Sequence, residues 1–339
     1  MTEFATGINT RSAANLPRLL RMHEWIAITF YPLLVPFYYL LLLRHGEYAS
    51  YIAGFLLILV FGVFCGSFAF SLNTVGDLAQ DRKAGKRYAL SAWPRSRLLA
   101  LLLALSAGAL IVLAALGSYD KWFWLFGSLI YLLSVAYSVP GLRLKERPVL
   151  GPLTIALTQF ALPQLLVFVL FGYYSWETPL FIVLFSLAGL RGILVHQILD
   201  YGNDLEASVR TFVTQYGVKR TWRALTFLTA LEACVLVAVL TVCSRAVSGL
   251  LIYAAALAVL ALLRKKTGAS MMPAPYTMLM EFYCFFWPMF LLAYGAIFVH
   301  WIFFVLLLLH ACITLSLSPS VRFALGNLYG RMARSGLRT

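Results

Sequence analysis

The chain has 339 residues; 62% are hydrophobic, only 12% are charged, and the formal net charge is +14. That charged share is about half of what a soluble domain carries, so a water-soluble fold of this size is excluded. The excess of basic residues does not mark a nucleic-acid binder, because those residues sit in short loops between apolar runs, where they set membrane topology and meet anionic lipid.

Residues 1–21 mix polar and basic types and show no short apolar region with a small-residue cleavage site. They read as a cytoplasmic N-terminal segment, with the first span serving as the targeting signal. Apolar runs long enough to cross a bilayer as helices follow at 25–43, 50–71, 98–117, 122–140, 151–172, 178–198, 222–242, 248–263, 278–297 and 300–316. That makes ten spans, or nine if one helix is broken near Pro288. The ten-residue alternating segments of a membrane β-barrel are absent. Residues 317–339 form a basic tail.

Loop charge alternates along this series. Arg82, Lys83, Lys86, Arg87, Arg95 and Arg97 follow the second run, Arg143, Lys145 and Arg147 the fourth, and Arg210, Lys219, Arg220 and Arg223 the sixth. The intervening loops hold little more than Arg44, Lys121 and Arg245. The positive-inside rule then puts both termini and the basic loops in the cytoplasm, with the cell (inner) membrane as the expected site. The five cysteines form no CxxC spacing and read as small buried apolar side chains.

Five of the thirteen acidic residues fall in two clusters, each at the cytoplasmic end of a run. Asn73, Asp77 and Asp81 are four residues apart, as are His196, Asp200 and Asp204, with Glu206 close by. A four-residue step on a helix lines side chains along one face. Carboxylates at a membrane surface are costly unless paired, hydrated or metal-bound. Hard oxygen ligands from two helices suit Mg²⁺, and Mg²⁺ lets carboxylates bind a diphosphate they would otherwise repel. The plain alternative is a set of solvated residues at helix ends.

These residues resemble the UbiA-type intramembrane prenyltransferase superfamily, whose first acidic motif is NDxxDxxxD and whose second is DxxxD. Asn73, Asp77 and Asp81 match the first, with Thr74 where aspartate is usual; Asp200 and Asp204 match the second. Val209-Arg210-Thr211 resembles the basic and hydroxyl residues after the second motif. Tyr137 to Lys145 resembles a YSxPPxRxK-like stretch, with Gly141 in place of the second proline. The stretch after Asp81 lacks the NRP-like sequence of many members.

The resemblance implies an all-α polytopic membrane protein of nine to ten transmembrane helices in a bundle around a central cavity, with residues 22–316 as the transmembrane domain. It implies Mg²⁺ on Asp77, Asp81, Asp200 and Asp204, aided by Asn73. Lys83, Arg143, Lys145 and Arg210 would meet the diphosphate, and Tyr137 lies nearest the motifs. His196 is a base, an acceptor contact or a partner of Asp200. Glu232, Glu281, Gln159 and Gln164 are further intramembrane polar residues; Glu232 has a substrate role or a structural one. The implied reaction is Mg²⁺-dependent transfer of a prenyl group from an isoprenyl diphosphate to a small or lipophilic acceptor, with release of pyrophosphate. The rivals are a membrane terpene cyclase and a secondary transporter.

Overall fold

The computed structural model describes residues 20, 22–44, 46–83, 90, 93–243, 279 and 282–317. Of the expected segments 1–21 and 317–339 only residues 20 and 317 are described, and the run at 248–263, Arg264 to Lys266 and Glu281 lie outside the described residues. All regular structure among the described residues is helical. The long helices are α1 (Met22–Leu43), α2 (Tyr48–Lys83), α3 (Arg95–Gly117) and α4 (Lys121–Ser138). A 3-10 turn at Leu144–Glu146 leads to α5 (Leu150–Ile155), a π-helical segment (Ala156–Ala161) and α6 (Leu162–Leu170). Then come α7 (Glu177–Leu199), the short α8 (Tyr201–Glu206) and α9 (Phe212–Tyr216), and α10 (Val218–Cys243). A second π segment (Phe282–Phe286) runs into α11 (Trp287–Phe298), followed by α12 (Ile302–Leu317).

The protein is an integral, multi-spanning membrane protein, but the expected count of nine to ten spans is corrected. Among the described residues five helical stretches are long and apolar enough to cross: Tyr48–Leu78, Arg95–Gly117, Leu150–Leu170, Glu177–Leu199 and Val218–Val242. Three more apolar helices, Thr29–Leu43, Phe282–Phe298 and Ile302–Thr314, are shorter. Apolar composition alone overcounts because it does not see where a helix starts, stops or takes in polar side chains. In α4, lysine, serine and tyrosine side chains dilute the apolar stretch.

Local chemistry sets the helix ends. Asp120 caps α4 by accepting a hydrogen bond from the Trp122 amide at 2.9 Å. Pro140 disfavours helical geometry at Val139, and α4 ends there with Val139 extended. Thr211 and Thr214 form a reciprocal capping box at α9. The two π segments share a cause. Pro163 and Pro288 each lack the N–H that would bond four residues back, to Gln159 and Cys284, and the extra residue of a π turn absorbs the mismatch. The helix is therefore widened ahead of Pro288 and continues through it, not broken. The freed Cys284 carbonyl accepts from His310 Nε2 at 3.1 Å.

The main core joins α1, α6, α7, α10 and α11 through aromatic side chains. Phe37 stacks on Phe55 at 3.9 Å, and Phe181 on Trp287 at 5.8 Å. A second core joins α2, α3, α4 and α6. Glycines let helices approach. A Cβ on Gly189 of α7 would lie 2.6 Å from the Phe160 ring and 3.0 Å from the Ala156 Cα in the π segment. Gly189→Ala is therefore expected to destabilise the protein by about 1–3 kcal/mol through overpacking, read as a lower unfolding midpoint in detergent.

Candidate active site

The first motif lies on the last turns of α2, which runs unbroken to Lys83. The four-residue spacing therefore sits on a helix as expected. α2 passes close to the end of α4: a Cβ on Gly76 would be 3.2 Å from the Ser138 carbonyl. That approach lets the Ser138 hydroxyl donate to Asn73 Oδ1 at 3.3 Å.

The chain then turns back sharply. Gly141 has φ +94°, and Arg143 takes the left-handed region at φ +34°. Proline is locked near φ −65°, so a second proline at 141 could not make this turn. The departure of Gly141 from the expected pattern is thus a backbone requirement of this loop. The turn brings both basic side chains onto α2. Arg143 Nη2 donates to Asp77 Oδ1 at 2.9 Å and also pairs with Glu146 at 3.0 Å. Lys145 Nζ donates to Asn73 Oδ1 at 2.8 Å and to both carboxylate oxygens of Asp77. Burial pulls the Lys145 ammonium below its ordinary pKa, while the Asp77 carboxylate opposes that shift.

The second motif lies where α7 gives way to α8. Asp200 caps both helices with φ −90° and ψ 3°. The backbone step still holds across it, because the Asp200 amide donates to His196 and the Asp204 amide to Asp200, at 3.0 and 2.9 Å. His196 is 67% exposed and its Nε2 stands 3.4 Å from Asp200 Oδ2. The pairing weighed for His196 is thus present.

Asn73 of the first motif, Tyr137 in the last turn of α4 and His196, one turn before Asp200, come to one place. Directly below the polar residues opens a cavity of about 610 Å³. Asn73, Tyr137 and His196 line one end, and Leu33, Ile58, Phe61 and Leu166 line the other. The wall between them is mostly apolar, with Ser134, Thr158 and Gln159 as polar breaks.

Not every expected residue joins this group. Asp81 and Lys83 end α2, and their side chains lie outside the described residues. Arg210 is exposed and reaches Gln215 Oε1 at 3.4 Å. Thr74, where aspartate was expected, is buried and donates its hydroxyl to the Phe70 carbonyl at 2.9 Å. It contributes a bond to its own helix where an acidic residue would offer a ligand.

Glu232 proves structural. Its carboxylate takes two bonds from Arg191, at 2.6 and 3.0 Å, and one from the Tyr283 hydroxyl at 3.0 Å. Arg191, a charge inside an apolar run, was the missed signal for this pairing. Gln197 was missed too: its Oε1 accepts the Phe212 amide at 3.2 Å and ties the loop after the second motif back to α7.

Among the described residues no group of three or more His, Cys, Asp or Glu converges on one point. Asn73 and Asp77, both bonded to Lys145, and Asp200 and Asp204 at the end of α7 are hard oxygen donors of the kind that suits a divalent cation.

Residues 33–270 match the model of the UbiA prenyltransferase family. Among curated proteins none matches. Several solved structures share the fold. A UbiA homologue from Archaeoglobus fulgidus bound to GPP and Mg²⁺ aligns with a TM-score of 0.60 and 19% identity, over 84% of this chain and 98% of that one. The same homologue bound to DMAPP and Mg²⁺ gives 0.60 and 20%, over 84% and 98%. The apo structure of a UbiA homologue from Aeropyrum pernix K1 gives 0.56 and 17%, over 78% and 96%.

Proposed function

The chain belongs to the UbiA prenyltransferase family, and from that premise we propose that it transfers a prenyl group from an isoprenyl diphosphate to a lipophilic or small acceptor, releasing pyrophosphate. The observation that carries the reading is one largely apolar cavity whose lining includes Asn73, from the motif that carries Asp77, and His196, one turn before Asp200. An allylic diphosphate has these two halves, a charged head and an apolar tail. That Archaeoglobus homologues of this fold bind GPP or DMAPP with Mg²⁺ supports the same division.

Asp77, Asp200 and Asp204, with Asn73, would hold Mg²⁺, and Asp81 is assigned to the same set. The chemistry the ion would supply there is neutralisation of the diphosphate and a weaker allylic C–O bond. Arg143 and Lys145, held on Asp77, would offset charge on the departing pyrophosphate, and Lys83 and Arg210 are assigned to the same task. The Tyr137 ring offers a π face to the allylic cation. The cavity walls exclude water, which would otherwise capture that cation. His196, exposed beside Asp200, is the side chain placed to accept the acceptor's proton. Heterolysis passes the C–O bonding pair to pyrophosphate; the acceptor then supplies the new bonding pair and loses a proton.

The gathering of polar residues at one end of the cavity, not at the bilayer midplane, favours this reading over a transporter. The basic stretches at 84–97, 139–147 and 210–223 follow the first motif, α4 and the second motif in sequence, whereas the intervening loops hold little more than Arg44, Lys121 and Arg245. That bias supports a site and an N-terminus on the cytoplasmic side of the cell membrane.

The test is pyrophosphate release from membranes holding the protein, supplied with a prenyl diphosphate and an acceptor extract. Release is expected with Mg²⁺ and lost on chelation, with a prenylated product in the lipid fraction by mass spectrometry. Uptake of donor without turnover sinks the reading. Product formed with no acceptor present identifies a cyclase instead.

A further inference from the structure

We propose that the first turns of α10 form a seat for one anionic phospholipid, with the lipid phosphate between Lys219 and Arg223 and an acyl chain lying along Phe227 and Ala230.

The seat is a groove on the outer face of α10, lined by Lys219, Trp222, Arg223, Thr226, Phe227 and Ala230. Steps of three and four residues put these side chains on one side of the helix. The other side is committed to the bundle. Thr221, Leu225, Glu232 and Leu236 are fully buried there, and Glu232 bonds to Arg191 of α7. On the outer side Lys219, Arg223, Thr226 and Ala230 are exposed, and Phe227 is 67% exposed.

The groove changes polarity along its length in the order that a phospholipid does. Lys219 and Arg223 stand at its start with Trp222 between them, and Phe227 and Ala230 follow. Tryptophan is favoured at the level of lipid headgroups. From Lys219 to Ala230 the helix rises about 16 Å at roughly 1.5 Å per residue. That is about half of a hydrocarbon core roughly 30 Å thick, so the groove spans one leaflet. The Thr226 hydroxyl is taken up by its own helix, where it donates to the Trp222 carbonyl at 3.0 Å. The two basic side chains are therefore what meets a headgroup.

The charge around the groove selects an anion. No acidic residue occurs between Glu206 and Glu232. Arg220, also exposed, flanks the groove, and among the described residues no carboxylate pairs with Lys219, Arg220 or Arg223. Arg143 and Lys145 differ, because both are held on Asp77. A choline or ethanolamine headgroup would bring a cation of its own against Arg220, whereas an anionic headgroup adds only negative charge. A soluble anion would use the basic end alone and leave Phe227 and Ala230 uncovered. The seat shares a membrane face with the second motif, because α9, just before α10, is tied through the Phe212 amide to Gln197 near the end of α7.

Native mass spectrometry of the delipidated protein in detergent tests the seat. The probes are dioleoylphosphatidylglycerol, dioleoylphosphatidylcholine with the same chains, and glycerophosphoglycerol, the anionic headgroup without chains. The first phosphatidylglycerol is expected to bind at least about ten-fold more tightly than phosphatidylcholine or the headgroup alone. Lys219→Gln with Arg223→Gln is expected to cut that affinity by about 30-fold, as for two basic side chains beside an anionic lipid. Arg95→Gln with Arg97→Gln removes the same charge from exposed positions at the start of α3 and is expected to change it by less than about three-fold. Equal affinity for the two lipids overturns the seat, and that comparison needs no variant. Headgroup binding as tight as lipid binding, or an equal loss from the two double substitutions, overturns it too.

Discussion

Replacing Asp77 by alanine is expected to lower turnover by at least about 10³-fold, because one carboxylate serves two purposes at once. It is a ligand in the proposed Mg²⁺ set, and it is the anchor on which Arg143 and Lys145 are held. Its loss removes a metal ligand and frees two cations whose positions depend on it. Asp77→Asn separates these roles. The amide retains a hydrogen-bonding oxygen for the two cations but binds Mg²⁺ weakly, so it is expected to raise the Mg²⁺ concentration needed for half-maximal turnover. Asp200→Ala, which leaves Arg143 and Lys145 in place, is expected to lose turnover without disturbing them. Pyrophosphate release from membranes matched for protein level measures all three. Retained turnover in both alanine variants rejects the metal assignment.

The second large effect is on stability. Glu232 is fully buried and Arg191 is 3% exposed, with the pair joined by two hydrogen bonds between α7 and α10. Glu232→Leu leaves a guanidinium in the bundle interior with no counter-charge. That is expected to cost about 3–5 kcal/mol, as for other broken buried pairs. Arg191→Met combined with Glu232→Leu is expected to recover most of the loss, since neither charge is then left alone. Tyr283→Phe removes one hydrogen bond and is expected to cost about 1 kcal/mol. Unfolding midpoints in a detergent titration compare the three. A loss below about 1 kcal/mol for Glu232→Leu alone would show that the pair is not load-sharing between the helices. Because α7 carries His196 at its end, a loosened α7–α10 contact is also expected to weaken donor binding.

Much of the site was readable in order of residue spacing. Asn73 and Asp77 sit on a helix because the apolar run before them has helical length and no proline interrupts the stretch to Lys83. The charge patterns were readable for a similar reason: Lys145 and Arg143 lie in a basic loop, and basic loops share a membrane face. The span count was not readable. Apolar content continues through Pro163 and Pro288, where the backbone widens into π turns, and it cannot distinguish a long crossing helix from a short packed one. Arg210 illustrates a further gap: its place after the second motif suggested a phosphate contact, and its bond to Gln215 after the turn at Ser208 was not legible in the sequence.

The sequence by itself determined that the chain lives in a bilayer, that its acids gather in two short clusters, and that each cluster has helical spacing. These are local or compositional properties, set by side-chain polarity and the pitch of a helix. Only the tertiary structure decided which partners those acids have. Residues 73, 77, 138, 143 and 145 come together because α2 passes close to α4 at Gly76 and because Gly141 turns the next loop back. Glu232 left the site for the same kind of reason: Arg191, distant in sequence, lies opposite it on α7. Pairing across helices depends on crossing and rotation, which packing of whole faces fixes and no single stretch of chain contains.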